Sequence, residues 1–210
     1  MTQLKTSLLL AALICLSGCA RQTASPNSPP SSYYRNPTKD LKRVGRTALV
    51  ELTDVSDAHR VSPEITEAMF QEIQKKQIWG LTKVRQDDPI WRSLQLDMDL
   101  HYKLEDLSQI RKTLRCDAIL VGTITGFEPY PHMAISLRLR LIDLADGQLL
   151  WAMEQVWDTT DKKTRDRIEA YYSPGRLFFQ DKNLAGQLGS VSSLKFFKFV
   201  AYEIAETLRP

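Results

Sequence analysis

Between His132 and Trp157 apolar and polar residues alternate with a period of two: Met133, Ile135, Leu137, Leu139 and Leu141 are separated by Ala134, Ser136, Arg138 and Arg140. Successive side chains of a β-strand point to opposite faces, so the pattern dictates a strand with one face in a core and the other in water. Ala145-Asp146-Gly147-Gln148 then supplies an Asp-Gly turn signal, and the apolar run LLWAMEQVW (Leu149 to Trp157) returns as a second strand. The spacing predicts a β-hairpin, and a sheet with one apolar face needs another layer to cover it.

The rest of the chain supplies that layer. Thr47 to Leu52 (TALVEL) reads as a buried strand, followed by loop residues Asp54, Ser56 and Asp57. Ser62-Pro63-Glu64-Ile65 predicts a helix start, with Ser62 as N-cap and Pro63 in the first helical position. Ile65, Met69 and Ile73 follow at four-residue spacing, and the helix ends near Ile78. Trp79 to Arg85 reads as a strand, and Leu104, Leu107, Ile110 and Leu114 mark a second amphipathic helix. AILVGTITGF (Ala118 to Phe127) is a further strand. After the hairpin, Asp158 to Gly189 is charged and irregular, with a short helix over Lys162 to Tyr171. Val191, Leu194, Phe197, Val200, Ala201, Ile204 and Leu208 then form a closing amphipathic helix. This order predicts an α/β domain: a mixed sheet ending in a hairpin, with helices packed on it.

The first residues are not part of that domain. MTQLKTSLLLAALICLSGC has one Lys, an apolar run from Leu8 to Leu16, then small residues. The run is shorter than the roughly 20 residues a membrane-crossing helix needs, and has the layout of a cleaved export signal. Leu16-Ser17-Gly18-Cys19 resembles the bacterial lipobox. That resemblance implies cleavage before Cys19, a diacylglycerol and an N-acyl chain on Cys19, and, with Ala20 rather than Asp next, anchoring in the outer membrane facing the periplasm. Residues 1–18 are thus expected to be a lipoprotein signal peptide and 46–210 the periplasmic domain. Between them, 19–45 read as the lipidated cysteine and a flexible tether, because ASPNSPPSSYYRNPTKD has almost no aliphatic side chains to bury. With Cys15 removed and Cys19 acylated, Cys116 is the only thiol left, and it reads as a small buried residue.

AILVGTITGF together with LRLRLIDLADGQLLWAMEQ (Leu137 to Gln155) resembles envelope lipoproteins of the superfamily that contains the curli secretion channel subunit, the penicillin-binding-protein activator LpoB and the N-terminal domain of TolB. The matching positions are Gly122, Asp143, Gly147 and Trp151, in a strand–turn–strand layout, and the resemblance spans roughly 46 to 157 plus the last helix. The resemblance implies a domain that binds other envelope proteins. The amphipathic strand pair with which the channel subunit builds its pore has no counterpart in this sequence.

Few residues suggest chemistry. His59, His101 and His132 are far apart and no metal-ligand spacing occurs. Asp87-Asp88 and Asp97-Met98-Asp99 are the carboxylate pairs a hydrolase could use, although such pairs are usually solvated. The net charge of +3, from 28 basic and 25 acidic residues spread along the chain, argues against nucleic acid as a partner. No cofactor is expected beyond the lipid. Among the loop aromatics Trp91, Phe127, Tyr130, Tyr171, Tyr172, Phe178 and Phe179, the corner Glu128-Pro129-Tyr130-Pro131 and the stretch Tyr171 to Phe179 are the expected partner surface. The sequence therefore predicts a lipid-anchored, non-enzymatic adaptor that binds another envelope protein. The alternatives are a ring-forming subunit made of copies of this chain and, third, a carboxylate-dependent hydrolase.

Overall fold

The alternating segment pairs with its neighbours as its pattern requires, and the sheet grows outward from it. The computed structural model describes residues 32–56, 61–94, 96, 102–172 and 192–209. In chain order the strands are β1 (Tyr33–Arg35), β2 (Arg46–Val50), β3 (Thr53–Asp54), β4 (Gly80–Val84), β5 (Ala118–Glu128), β6 (Ala134–Asp143) and β7 (Leu149–Asp158). The α-helices are α1 (Val61–Lys76), α2 (Pro89–Leu94), α3 (Leu104–Leu114), α4 (Lys162–Tyr172) and α5 (Ser193–Thr207). The strand order is β1-β7-β6-β5-β2-β4, with β3 paired to β5. β2 is parallel to β4 and β5, whereas β5, β6, β7 and β1 are antiparallel neighbours, so the sheet is mixed as expected.

Every apolar member of the alternation lands on one face. Ile135, Leu137, Leu139 and Leu141 join Trp151, Met153 and Trp157 of β7 beneath α1 and α5, in a cluster with Ile65, Met69, Phe196, Phe197, Val200 and Ile204. Among the described residues the opposite face is covered only beside β2, β4 and β5, where Ala48, Val50, Val84, Ile119 and Val121 pack on Leu94, Leu96, Leu107 and Ile110. Gly122 of β5 lies opposite Leu139 of β6 with no room for a side chain. A Cβ there would lie 2.4 Å from Leu139 and 2.8 Å from the carbonyl oxygen of Arg138, so no larger residue fits without moving the strand. In the β6–β7 turn Gly147 has φ +75, a conformation that L side chains rarely adopt. The Asp143 carboxylate accepts from the amide of Ala145 at 2.8 Å and from Lys39 at 2.8 Å.

Three expectations need correction. The flexible segment ends earlier than residue 45: β1 adds to the edge of β7, and Leu41 is fully buried in the main core. The cause is long-range pairing, since Tyr33 sits opposite Met153 and Arg35 opposite Trp151. The first helix begins at Val61, and Ser62 is a buried residue inside it whose hydroxyl donates to the carbonyl of Leu52 instead of capping the helix. Pro89 opens a helix not foreseen, α2, with the Asp88 carboxylate accepting the Ile90 amide at 3.3 Å. Residues 1–31, which include the expected signal peptide and the expected lipobox Leu16, Ser17, Gly18 and Cys19, lie outside the described residues.

Candidate functional site

The corner between β5 and β6 is held from below. Phe127, the penultimate residue of β5, packs its ring 5.7 Å from that of Phe197. Beside it the amide of Met133 donates to Thr159 Oγ1 at 3.0 Å, and the amide of Thr159 donates to the carbonyl of Met133 at 2.9 Å. These ties fix the base of the corner and leave Tyr130 85% exposed at its tip. Glu128 stays in water with His132 Nε2 3.4 Å away. A rigid, projecting aromatic ring of this kind suits a binding contact, because little freedom remains to be lost on contact.

Tyr171 and Tyr172 stand elsewhere, at the C-terminal end of α4. Tyr171 stacks on Tyr202 at 4.7 Å and lies 6.0 Å from Phe199, so its ring seals the edge of the main core. Tyr172 meets Tyr171 edge-on at 4.7 Å and donates its hydroxyl to the carbonyl of Lys195 at 2.6 Å. Burial pushes the Tyr172 phenol up to about 12 and raises that of Tyr171. α4 starts beside Thr159 and its 11 residues span roughly 16 Å, so the two halves of the expected surface are separate places. Phe178 and Phe179 lie outside the described residues, and Trp91 is partly buried against the second core cluster.

The candidate carboxylates do not converge. Asp88 caps α2, Asp87 lines a separate crevice, and Asp97 and Asp99 lie outside the described residues, as do His59 and His101. That crevice, about 670 Å³, sits beyond the C-terminal ends of β2 and β4, and its polar groups are tied to one another. Glu51 accepts the Gln86 amide at 3.1 Å, Gln86 Nε2 donates to the Leu52 carbonyl at 3.0 Å, and the Leu52 amide donates to Thr66 Oγ1 at 3.1 Å. Among the described residues no three His, Cys, Asp or Glu side chains are grouped so as to hold a metal ion. Cys116 is buried, and desolvation pushes its thiol up to about 11, which suppresses the reactive thiolate.

Two features escaped the sequence reading. The first is a buried carboxylate, Glu203, on the apolar face of α5. It accepts from Trp157 Nε1 at 2.6 Å and from Arg167 Nε at 2.6 Å, and burial raises its pKa while those two bonds pull it back. Its sequence signal was an acidic residue inside the run Phe199, Val200, Ile204. The second is the bare half of the sheet. Among the described residues no helix covers Arg138, Arg140, Ala152 and Glu154, which with Tyr34 of β1 line an open groove of about 780 Å³. Arg138 and Glu154 form a two-pronged ion pair across it, at 3.0 and 3.2 Å.

Comparison with known proteins adds structures but no family. No family model matches the chain, and no curated protein sequence matches it. Similar solved structures include the PelC dodecamer from Paraburkholderia phytofirmans, with 10% identity, 64% of this chain and 86% of that chain covered, and a TM-score of 0.43. Lipoprotein GNA1162 from Neisseria meningitidis shares 14% identity over 56% of this chain and 85% of its own, at a TM-score of 0.44. The LpoB C-terminal domain from Escherichia coli shares 16% identity over 54% and 82%, at 0.38. At such identities and scores the function has to be argued from this chain's own residues.

Proposed function

We propose that the chain is a lipid-anchored adaptor of the bacterial envelope. In this reading Cys19 carries the diacylglycerol and N-acyl chains that hold it on the periplasmic side of the outer membrane. The folded domain then binds another envelope protein and regulates its assembly or activity. The observation that carries the reading is the apolar run Leu8 to Leu16 closed by Leu16-Ser17-Gly18-Cys19. Each buried methylene contributes about 0.8 kcal/mol and one acyl chain binds only marginally, so the several chains of a lipoprotein are needed for a stable anchor. The bare half-sheet around Arg138, Arg140 and Glu154 supports a protein partner, and the resemblance of 118–155 to the LpoB superfamily makes a cell-wall synthase the first partner to seek.

Two measurements test this. Cys19→Ala should abolish incorporation of labelled fatty acid and leave the precursor uncleaved; continued labelling would refute the anchor. A photo-crosslinking residue at Arg140 in intact cells should attach one dominant envelope protein. A ladder of adducts to the chain itself would replace the adaptor with a ring-forming subunit.

A further inference from the structure

Strand directions fix the end of the domain at which the N-terminal chain arrives. β2, β4 and β5 run the same way, β7 runs with β5 because both are antiparallel to β6, and β1 runs against β7. Going backward from Tyr33, the chain therefore heads toward the end where β5 and β7 finish and the Tyr130 corner projects. Cys19 lies thirteen residues before Ser32, a span of at most about 45 Å when fully extended.

Exposed large apolar side chains gather at that same end. Val55 follows β3, Tyr130 tips the corner and Val156 lies in the last part of β7. Leu194 opens α5 beside the Phe127–Phe197 contact. Tyr33 and Tyr34 belong to the arriving strand itself. At the far end, where the β6–β7 turn and the C-terminal ends of α1 and α5 meet, Leu104 is the one exposed large apolar side chain among the described residues, a helical turn before the Leu107 that packs on Gly147. The end near the corner also carries both signs of charge, with Glu128, Asp158 and Asp161 set against Lys162, Lys163 and Arg165, and the crevice beyond β2 and β4 mixes acidic and basic side chains in the same way.

We infer that this end of the domain rests on the bilayer that holds Cys19, with the Tyr130 ring in the headgroup region and the neighbouring apolar side chains meeting lipid. This rests on the anchored reading of Cys19. Tyrosine is enriched at membrane–water interfaces because its ring is apolar and its hydroxyl stays wet. A contact made by mixed charge and apolar side chains needs no anionic lipid and withstands salt.

The test uses the full chain, acylated at Cys19, in vesicles of phosphatidylethanolamine and phosphatidylglycerol. Tyr130→Cys and Val156→Cys each receive an environment-sensitive fluorophore, and Lys112→Cys, near the far end, serves as control. Cys116 is buried with a suppressed thiolate and stays unlabelled in the folded protein. The expected result is a severalfold brighter, blue-shifted emission at positions 130 and 156, quenched by brominated lipid and unchanged by high salt or by omitting phosphatidylglycerol. Position 112 should report water throughout. If the protein floats with the vesicles but all three probes report water, the proposal is overturned and the anchor stands. If Cys19 bears no acyl mass and the chain does not float, the anchor reading fails and the proposal with it. Emission at 130 that is wet on vesicles but dry in intact cells would overturn the proposal in favour of a protein partner at this end.

Discussion

Arg167→Met should be the most damaging single change on the α4–α5 face. Glu203 is 3% exposed, and its two strong bonds come from Arg167 Nε and Trp157 Nε1, both at 2.6 Å. Arg167 is itself largely covered, so its guanidinium is not heavily screened by water. Without it, one hydrogen bond from an indole has to support a carboxylate inside the core. Removing one partner of a buried ion pair costs about 3–5 kcal/mol. For a domain of this size that corresponds to a fall in melting temperature of roughly 10 °C. The loss should also depend on pH in a defined direction. Burial already lifts the Glu203 pKa above its ordinary 4.5, and loss of Arg167 lifts it further. A raised pKa means that the folded protein holds a proton which the unfolded chain has released. The stability this confers is complete below the unfolded value and is lost as pH rises through the folded one. The deficit measured by urea unfolding should thus be greater at about pH 7 than at about pH 5. Arg167→Met combined with Glu203→Leu removes both charges and should recover most of the loss. A single-variant deficit below about 1 kcal/mol, or a double variant no better than the single, would refute the claim that an unpaired buried charge is the cause.

Other outcomes follow from packing and exposure. Gly122→Ala forces a Cβ against Leu139 and the Arg138 carbonyl and should cost about 1–3 kcal/mol in thermal unfolding, whereas Gly126→Ala, which meets only Ser136 at 3.6 Å, should cost far less. Cys116 should resist thiol reagents at neutral pH and react promptly once urea unfolds the domain; fast native labelling would contradict its burial. Arg35→Ala removes side-chain bonds to the carbonyls of Thr207 and Arg209, and should lower stability by about 1 kcal/mol while making the chain before Asn36 more sensitive to protease.

The fold was legible where a local pattern coincided with a tertiary need. The alternation through Leu141 forms β6 with every Leu on the core face, and Asp146-Gly147 makes the predicted turn. Leu107 and Ile110 bury the predicted face of α3. β1 was illegible because three residues among prolines and serines carry no pattern of their own, and their order comes from β7, far along the chain. Ser62-Pro63 looks like a helix start, but the helix begins at Val61, and Ser62 is buried within its first turn with its hydroxyl donating to the Leu52 carbonyl, a long-range contact that the local pattern does not show. The corner around Tyr130 was readable from its two prolines and its glutamate. Its separation from Tyr171 and Tyr172 was not, since the direction of α4 depends on tertiary contacts such as Arg167 with Glu203. The four positions of the family resemblance were readable too, because Gly122, Asp143, Gly147 and Trp151 serve the hairpin and its packing.

The arrangement of β1 determines how the domain answers a pull. Tension on the N-terminal chain runs along the axis of β1, which lies antiparallel on β7. The ladder bonds are then loaded together in shear, where peeling from the far end would break them singly. Arg35 adds a latch, because its guanidinium grips the last carbonyls of α5 and passes the load into the helix that spans the main core. A three-residue strand is a poor source of thermodynamic stability, but in this orientation it is a sound mechanical fastening. Force applied at the N-terminus should release β1 and the latch in one step and leave the remaining six strands folded.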